Sequence, residues 1–274
     1  MNSPRKGRRQ LARLALETTD RDMAIVGTVS DLRLATAGQL ERLHFPVPGA
    51  HATALTAART ARRTLERLVR DRLLVRLERR VGGIRAGSAS FIYALGPVGQ
   101  RVLSLSGTGQ AGPRRRFREP SALFVAHTLA VSELYVRLHE AARLGQLQLL
   151  GRIETEPSCW RSISTVGGRA LLKPDLFVVT GNDEYEYRWF VEVDLGTEHS
   201  PAVVRKCQAY EAYYRSGFEQ AEHGVFPRVL WVALDDVRGE RLRAVISGAS
   251  DLTSELFVVT TAELAVRVLA GASA

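Results

Sequence analysis

The sequence predicts an α/β (α+β) protein of two domains, and three observations carry that reading. Its 274 residues exceed the needs of one small domain and allow two, each able to bury a core. Charge is divided: 23 Lys and Arg face 9 Asp and Glu through residue 120, a balance of +14, and 15 face 20 afterwards, a balance of −5. The hydrophobic period changes near the same place, from short helical stripes and one alternating ribbon before residue 105 to apolar strand runs separated by helices after residue 121.

Composition narrows the function classes. Apolar residues make up 45% of the chain, yet they come in short runs broken by charges, well below the roughly 18 uninterrupted apolar residues of a membrane span. The basic start MNSPRKGRRQLARLAL lacks a long apolar stretch and a small-residue cleavage site, so a secretory leader is not expected. Cys159 and Cys207 are the only cysteines, too few for a disulfide framework or a zinc site of the usual spacing. A reducing, cytoplasmic setting is expected. A domain as basic as the first 120 residues lowers its free energy beside a polyanion by releasing condensed counterions, which makes double-stranded DNA the first partner to consider.

The elements follow in order. Residues 1–20 read as a basic arm. Met23, Ile25, Val26 and Val29 predict a first helix; Ala35 to Phe45 predict a second, with Thr36 as its N-cap and Leu40 and Leu43 facing inward. Residues 53–72 predict a longer third helix with Ala57, Ala61, Leu65 and Leu68 as its apolar stripe, and Arg59, Arg62, Arg63, Arg67 and Arg70 lie on the same helix. Leu73 to Arg79 alternate, a Gly82-Gly83 turn region containing Arg85 follows, and residues 91–95 supply a second strand. Residues 96–105 then read as a turn and a closing helix. Three helices, a ribbon and a closing helix over residues 21–105 are the parts of a winged helix-turn-helix, whose third helix can enter the major groove while the ribbon touches backbone. A protein-docking winged helix has the same parts, and the arginines favour DNA.

Residues 106–120 read as a Gly/Pro-rich basic linker, with Arg114, Arg115, Arg116 and Arg118 placed to track phosphates or simply to solvate a hinge. Over 121–274 the expected order is α-β-β-β-α-β-α-β-α. The helices are placed at 121–144, 200–217, 237–246 and 262–269, and the strands at 146–154, 170–180, 185–195, 228–235 and 256–260. Ser200 and Pro201 are expected to open the second of these helices as N-cap and first residue.

Three acids stand where strands would otherwise be apolar: Asp175 in LLKPDLFVV, and Glu192 and Asp194 in WFVEVDL. Residues two apart on a strand project to one face. Crowded carboxylates repel unless a cation or a proton resolves them, and Mg²⁺ or Mn²⁺ held through Asp175, Glu192 and Asp194 is one resolution. Such an ion beside a phosphodiester can activate water and stabilise a leaving oxygen. Only three lysines occur beside 35 arginines. Two of them, Lys173 and Lys206, flank these acids, and lysine can shuttle a proton where arginine cannot. Tyr210, Tyr213 and Tyr214 follow Lys206 at helical spacing and are read as packing residues.

With those residues in view, positions 121–235 resemble the core of the PD-(D/E)xK phosphodiesterase superfamily, Pro174 and Asp175 matching the PD pair and Glu192 the second acid. The resemblance implies a mixed sheet, metal held by Asp175 and Glu192, and a lysine two residues after the second acid. Asp194 stands there instead, so the motif reads E-V-D, and Lys206 is the candidate for a migrated lysine. It also implies an acid from the first helix, for which Glu133 is the candidate. Over nearly the whole chain, HTLAVSE (127–133), KPD (173–175), EVDLGTE (192–198) and KCQAYEAYY (206–214) make the sequence similar to the replication-relaxation family of actinobacterial plasmids and other mobile elements.

That resemblance implies a DNA-binding accessory protein in replication, DNA relaxation or transfer. Its expected partners are double-stranded DNA, other replication or transfer proteins of the element, and a second copy of the chain. An active metal-dependent nickase or endonuclease is the alternative, and a winged-helix transcriptional regulator a second one.

Overall fold

The protein is mixed α/β. A computed structural model describes residues 18–47, 53–81, 90–107, 120–165, 168–182 and 184–272, and its packing divides the chain into two units, Met1–Ser132 and Glu133–Ala274. No helix among the described residues is long and apolar enough to cross a membrane.

In the first unit, helix α1 (Asp20–Leu32) opens on a capping box: Thr19 accepts from the Asp22 amide while the Asp22 carboxylate accepts from the Thr19 amide. Thr36 and Gln39 repeat the device at α2 (Ala37–His44). This helix starts two residues later than expected because Leu34–Thr36 form a short strand, β1, against β3. Helix α3 (Ala54–Arg70) buries Ala57, Ala61, Leu65 and Leu68, the stripe its spacing predicts. Strands β2 (Leu74–Val81) and β3 (Ser90–Leu95) pair antiparallel in a sheet of order β1-β3-β2. Helix α4 (Pro97–Leu105) begins with a proline where a helix needs no N–H.

Ile25, Val26, Leu40, Leu65, Leu68 and Leu74 belong to the main core of this unit. A smaller cluster gathers Leu34, Leu77, Ile92 and Ala94 with Val125 and Leu129, which come from the first half of α5 (Ala122–Arg143). Two long-range bonds tie that half-helix down: Ser132 Oγ donates to the Leu34 carbonyl at 2.7 Å, and Gln39 Nε2 donates to the Leu129 carbonyl at 3.1 Å.

The second unit is built on a mixed sheet of order β11-β10-β9-β8-β4, with β5 also on β8. Strand β9 (Glu186–Asp194) is central, antiparallel to β8 (Leu176–Gly181) and parallel to β10 (Arg228–Ala233), which is parallel to β11 (Phe257–Thr261). Helices α6 (Ser200–Ser216) and α8 (Asp236–Ser247) connect the parallel strands, the long crossovers that parallel pairing requires. Phe190, Val203, Cys207, Tyr210, Trp231 and Leu242 share one core. The last helix among the described residues is α9 (Ala265–Leu269).

Several expected boundaries shift. The strand expected over 146–154 is reduced to β4 (Gln148–Leu149) and β5 (Glu154–Thr155), interrupted at Gly151, whose φ of 92° takes it out of the extended region. The run 170–180 divides at Pro174, which has no N–H for a ladder. Its first part, β7 (Gly168–Leu172), pairs with an unexpected strand, β6 (Arg161–Thr165), and its second part is β8. The N-cap of α6 is His199 rather than Ser200, with Pro201 in the first turn. A short helix, α7 (Phe218–His223), follows Gly217.

Candidate functional site

In the first unit the chemistry lies on α3. Burial of Ala57, Ala61, Leu65 and Leu68 on one side leaves Arg59, Arg62, Arg63 and Arg70 exposed on the other. Among the described residues no ion pair joins Arg59, Arg62 or Arg63 to an acid. Arg67 is different: its guanidinium meets the buried Asp22 carboxylate at 2.6 Å. Burial alone would raise the Asp22 pKa, but Arg67 and the Thr19 groups hold it below the usual carboxylate range. Arg67 therefore joins α3 to the start of α1. On β2, Arg76 stacks over the Phe91 ring, 4.4 Å from its centroid. Arg85, Arg114, Arg115, Arg116 and Arg118 lie outside the described residues.

In the second unit, β9 and the turn before β8 bring Asp175 and Glu192 together. Asp175 is buried, and its Oδ2 accepts from the Val193 amide at 2.8 Å, which fixes the KPD turn against β9. Glu192 is 1% exposed. Its Oε1 accepts from the Tyr210 hydroxyl at 2.6 Å, and its Oε2 meets the Lys206 ammonium at 2.7 Å. Lys206 and Tyr210 come from successive turns of α6, the i, i+4 spacing that places two side chains over one patch. Lys206 also stands 3.5 Å from Glu198 and over the Trp231 ring.

The electrostatics of this cluster are those of a carboxyl out of water. Burial pushes the Glu192 pKa up to about 8, with Asp175 adding to the rise and Lys206 opposing it. For Lys206 burial works to lower the pKa, but Glu192 and Asp175 outweigh it and hold the ammonium above its ordinary value. Burial, then Glu192, raises the Tyr210 phenol well above its usual range and the Cys207 thiol to about 12, so neither is an available nucleophile near neutrality.

Asp194 lies apart from this group. Arg238 of α8 forks onto it, Nε to Oδ1 and Nη2 to Oδ2, both at 2.8 Å, and a further Nη2 bond reaches the Glu198 carbonyl at 2.7 Å. The Gly196 amide also donates to Asp194, and Gly196 itself has φ of 78°, so the E-V-D-L-G-T-E loop is folded around this carboxylate. The three acids thus divide, Asp175 and Glu192 with Lys206, and Asp194 with Arg238. Lys173 is exposed and stacks 4.9 Å over Trp160, and Glu133 is half-buried in α5. The Tyr213 hydroxyl bonds buried Glu219, and Tyr214 packs edge-on to Phe226, so these two rings belong to the core.

Among the described residues no group of three His, Cys, Asp or Glu side chains is arranged to hold a metal ion. A hard divalent ion takes one or two carboxylates and keeps several waters; Asp175 and Glu192 are the carboxylates of this cluster, with Asp175 Oδ2 and both Glu192 oxygens already engaged by the Val193 amide, Tyr210 and Lys206. Glu192 Oε2 is buried, and the Lys206 ammonium 2.7 Å away is its partner and counter-charge.

Arg238, Tyr210 and Asp22 carry this geometry without any local motif to announce them. Arg238 and Asp194 are 44 positions apart, and Arg67 and Asp22 are 45 apart, separations at which periodicity is silent. A buried acid in a strand does demand a cation, and that demand was the available signal.

Fold and sites together define a mixed α/β protein with a basic helix in one unit and a buried carboxylate–ammonium cluster in the other. The chain belongs to the replication-relaxation family, whose model matches residues 27–229. That span takes in α3, Asp175, Glu192 and Lys206 and ends before Arg238. No curated protein and no solved structure matches the chain.

Proposed function

We propose that the protein binds duplex DNA in the replication or relaxation of a mobile element. In this reading the first unit is a winged helix and the second a PD-(D/E)xK-like domain. The observation that carries the reading is α3, a helix with one face buried and Arg59, Arg62, Arg63 and Arg70 exposed on the other. Guanidiniums so placed gain from counterion release beside phosphates, and the gain shrinks as salt rises. The test is duplex binding across a salt series for the wild type and for Arg62→Ala/Arg63→Ala. The log–log slope should become shallower by about one unit for each phosphate that the variant no longer neutralises. An unchanged affinity with the fold intact would remove recognition from this helix.

The meeting of Asp175, Glu192 and Lys206 favours a second reading, metal-dependent phosphodiester cleavage. Asp175 and Glu192 would hold Mg²⁺ or Mn²⁺, which supplies activation of water and stabilisation of the leaving oxygen. Lys206, freed from Glu192, is then the group that orients or protonates at the reacting phosphate. Incubating supercoiled plasmid with protein and either metal separates the readings. Nicked product that disappears with Lys206→Met supports cleavage, and binding without product leaves the first reading alone.

A further inference from the structure

The exposed face of α3 is not uniform along its length. From Thr53 to Leu65 the helix carries no acid; the first is Glu66, exposed on the same side as the arginines. Beyond it Arg67 is committed to Asp22, and Arg70 has Asp71 beside it at 3.5 Å. The acid-free part is also the N-terminal part, where the helix macrodipole presents its positive end. An approaching polyanion is therefore met by the first three turns and opposed at the fourth.

These first turns offer few groups able to read a base. The Thr53 hydroxyl caps the helix by accepting from the Thr56 amide, and Thr60 Oγ1 donates back to the Thr56 carbonyl, so both serve the backbone. What projects is Leu55, 63% exposed, Arg59, Arg62 and Arg63, and Thr56, whose hydroxyl is bonded to that of Thr53. At about 100° per residue, Arg59 and Arg63 fall on either side of the line opposite the buried stripe, with Leu55 one turn before Arg59 on the same ridge and Arg62 further round the side. A helix lying in the major groove turns its centre line to the base edges and its flanks to the phosphates.

Resting on the DNA-binding reading above, we infer that the protein is sequence-selective, with Arg59 reading guanine through its O6 and N7 acceptors and Leu55 meeting the methyl group of a neighbouring thymine. Arg62, on the flank, takes a phosphate. A fork of two N–H donors matches the two guanine acceptors, and an exposed leucine gains by covering a C5 methyl that water otherwise surrounds. Electrostatic binding alone gives no role to an exposed leucine at the acid-free end of the helix.

The test uses the full chain and a duplex library with a randomised core. Selection should enrich a guanine next to a thymine. In the enriched duplex, 7-deazaguanine at that guanine should weaken wild-type binding about tenfold or more and barely affect Arg59→Ala. Uracil in place of the thymine should weaken the wild type and leave Leu55→Ala insensitive. Arg59→Lys keeps the charge and loses the fork, so its ratio of affinities for selected and random duplex should collapse. Leu55 and Arg59 are exposed, so unchanged melting of each variant is the folding control. Binding to random duplex with no enriched sequence, or equal sensitivity of wild type and variants to the modified bases, overturns the base-reading assignment and leaves DNA binding standing. Absence of binding to any duplex at low salt overturns both.

Discussion

Glu192 is a carboxyl with almost no access to water, a phenol on one oxygen and an ammonium on the other. Its pKa is raised to about 8 from an ordinary value near 4.5, chiefly by burial. The sign of the stability effect follows. The folded state binds this proton more tightly than the unfolded chain, so the contribution is complete below about pH 4.5 and is lost as pH rises through about 8. Glu192→Gln has no proton to lose there. The stability of the wild type relative to this variant should therefore fall between about pH 5 and pH 8, measured by melting of both proteins in parallel at fixed ionic strength. A constant gap across that interval would mean that Glu192 is ionised throughout, with Lys206 as its full counter-charge.

At the scale of elements, legibility followed the distance over which each element is determined. Helix α3 could be read from its own sequence because its stripe repeats every three to four residues and all four stripe positions are buried. Thr36 could be read as a cap because the capping box is local. The β6–β7 hairpin could not, since the apolar residues of 170–180 read as one strand across the short Lys173-Pro174-Asp175 break, where the missing N–H of Pro174 divides it. The site divides in the same way. Asp175, Glu192 and Lys206 were legible as charges in the wrong surroundings, whereas the separation of Asp194 from them depends on Arg238, which arrives from a helix 44 positions away. That pairing predicts its own mutational pattern. Asp194 is 3% exposed, so Arg238→Leu leaves a buried carboxylate without its cation and should destabilise the protein by about 3–5 kcal/mol. Adding Asp194→Asn removes the stranded charge and should recover a substantial part of the loss. Chemical denaturation of the two variants measures both steps, and additive losses would show that the fork contributes nothing as a pair.

For the whole molecule, composition and packing draw different lines. The basic excess and the Gly/Pro-rich stretch end near residue 120, while the packing divides the chain after Ser132, part-way along α5. The first half of α5 supplies Val125 and Leu129 to the cluster that covers Leu34, Leu77 and Ile92. It also supplies Ser132 to the Leu34 carbonyl and the Leu129 carbonyl to Gln39. A fragment ending at residue 110 keeps most of the charge, 19 Lys and Arg against 8 Asp and Glu or +11, and the three-stranded sheet, yet exposes those apolar side chains. Burying a leucine or valine stabilises by about 1.5–3 kcal/mol each. The fragment 1–110 should therefore be less stable than 1–134 by about 4 kcal/mol or more, a large share of what a domain of this size possesses. Urea unfolding of the two fragments decides the matter. Equal midpoints and slopes would place the end of the folding unit at the linker, whereas a marginal 1–110 beside a cooperative 1–134 would make the first half of α5 an integral part of the basic unit.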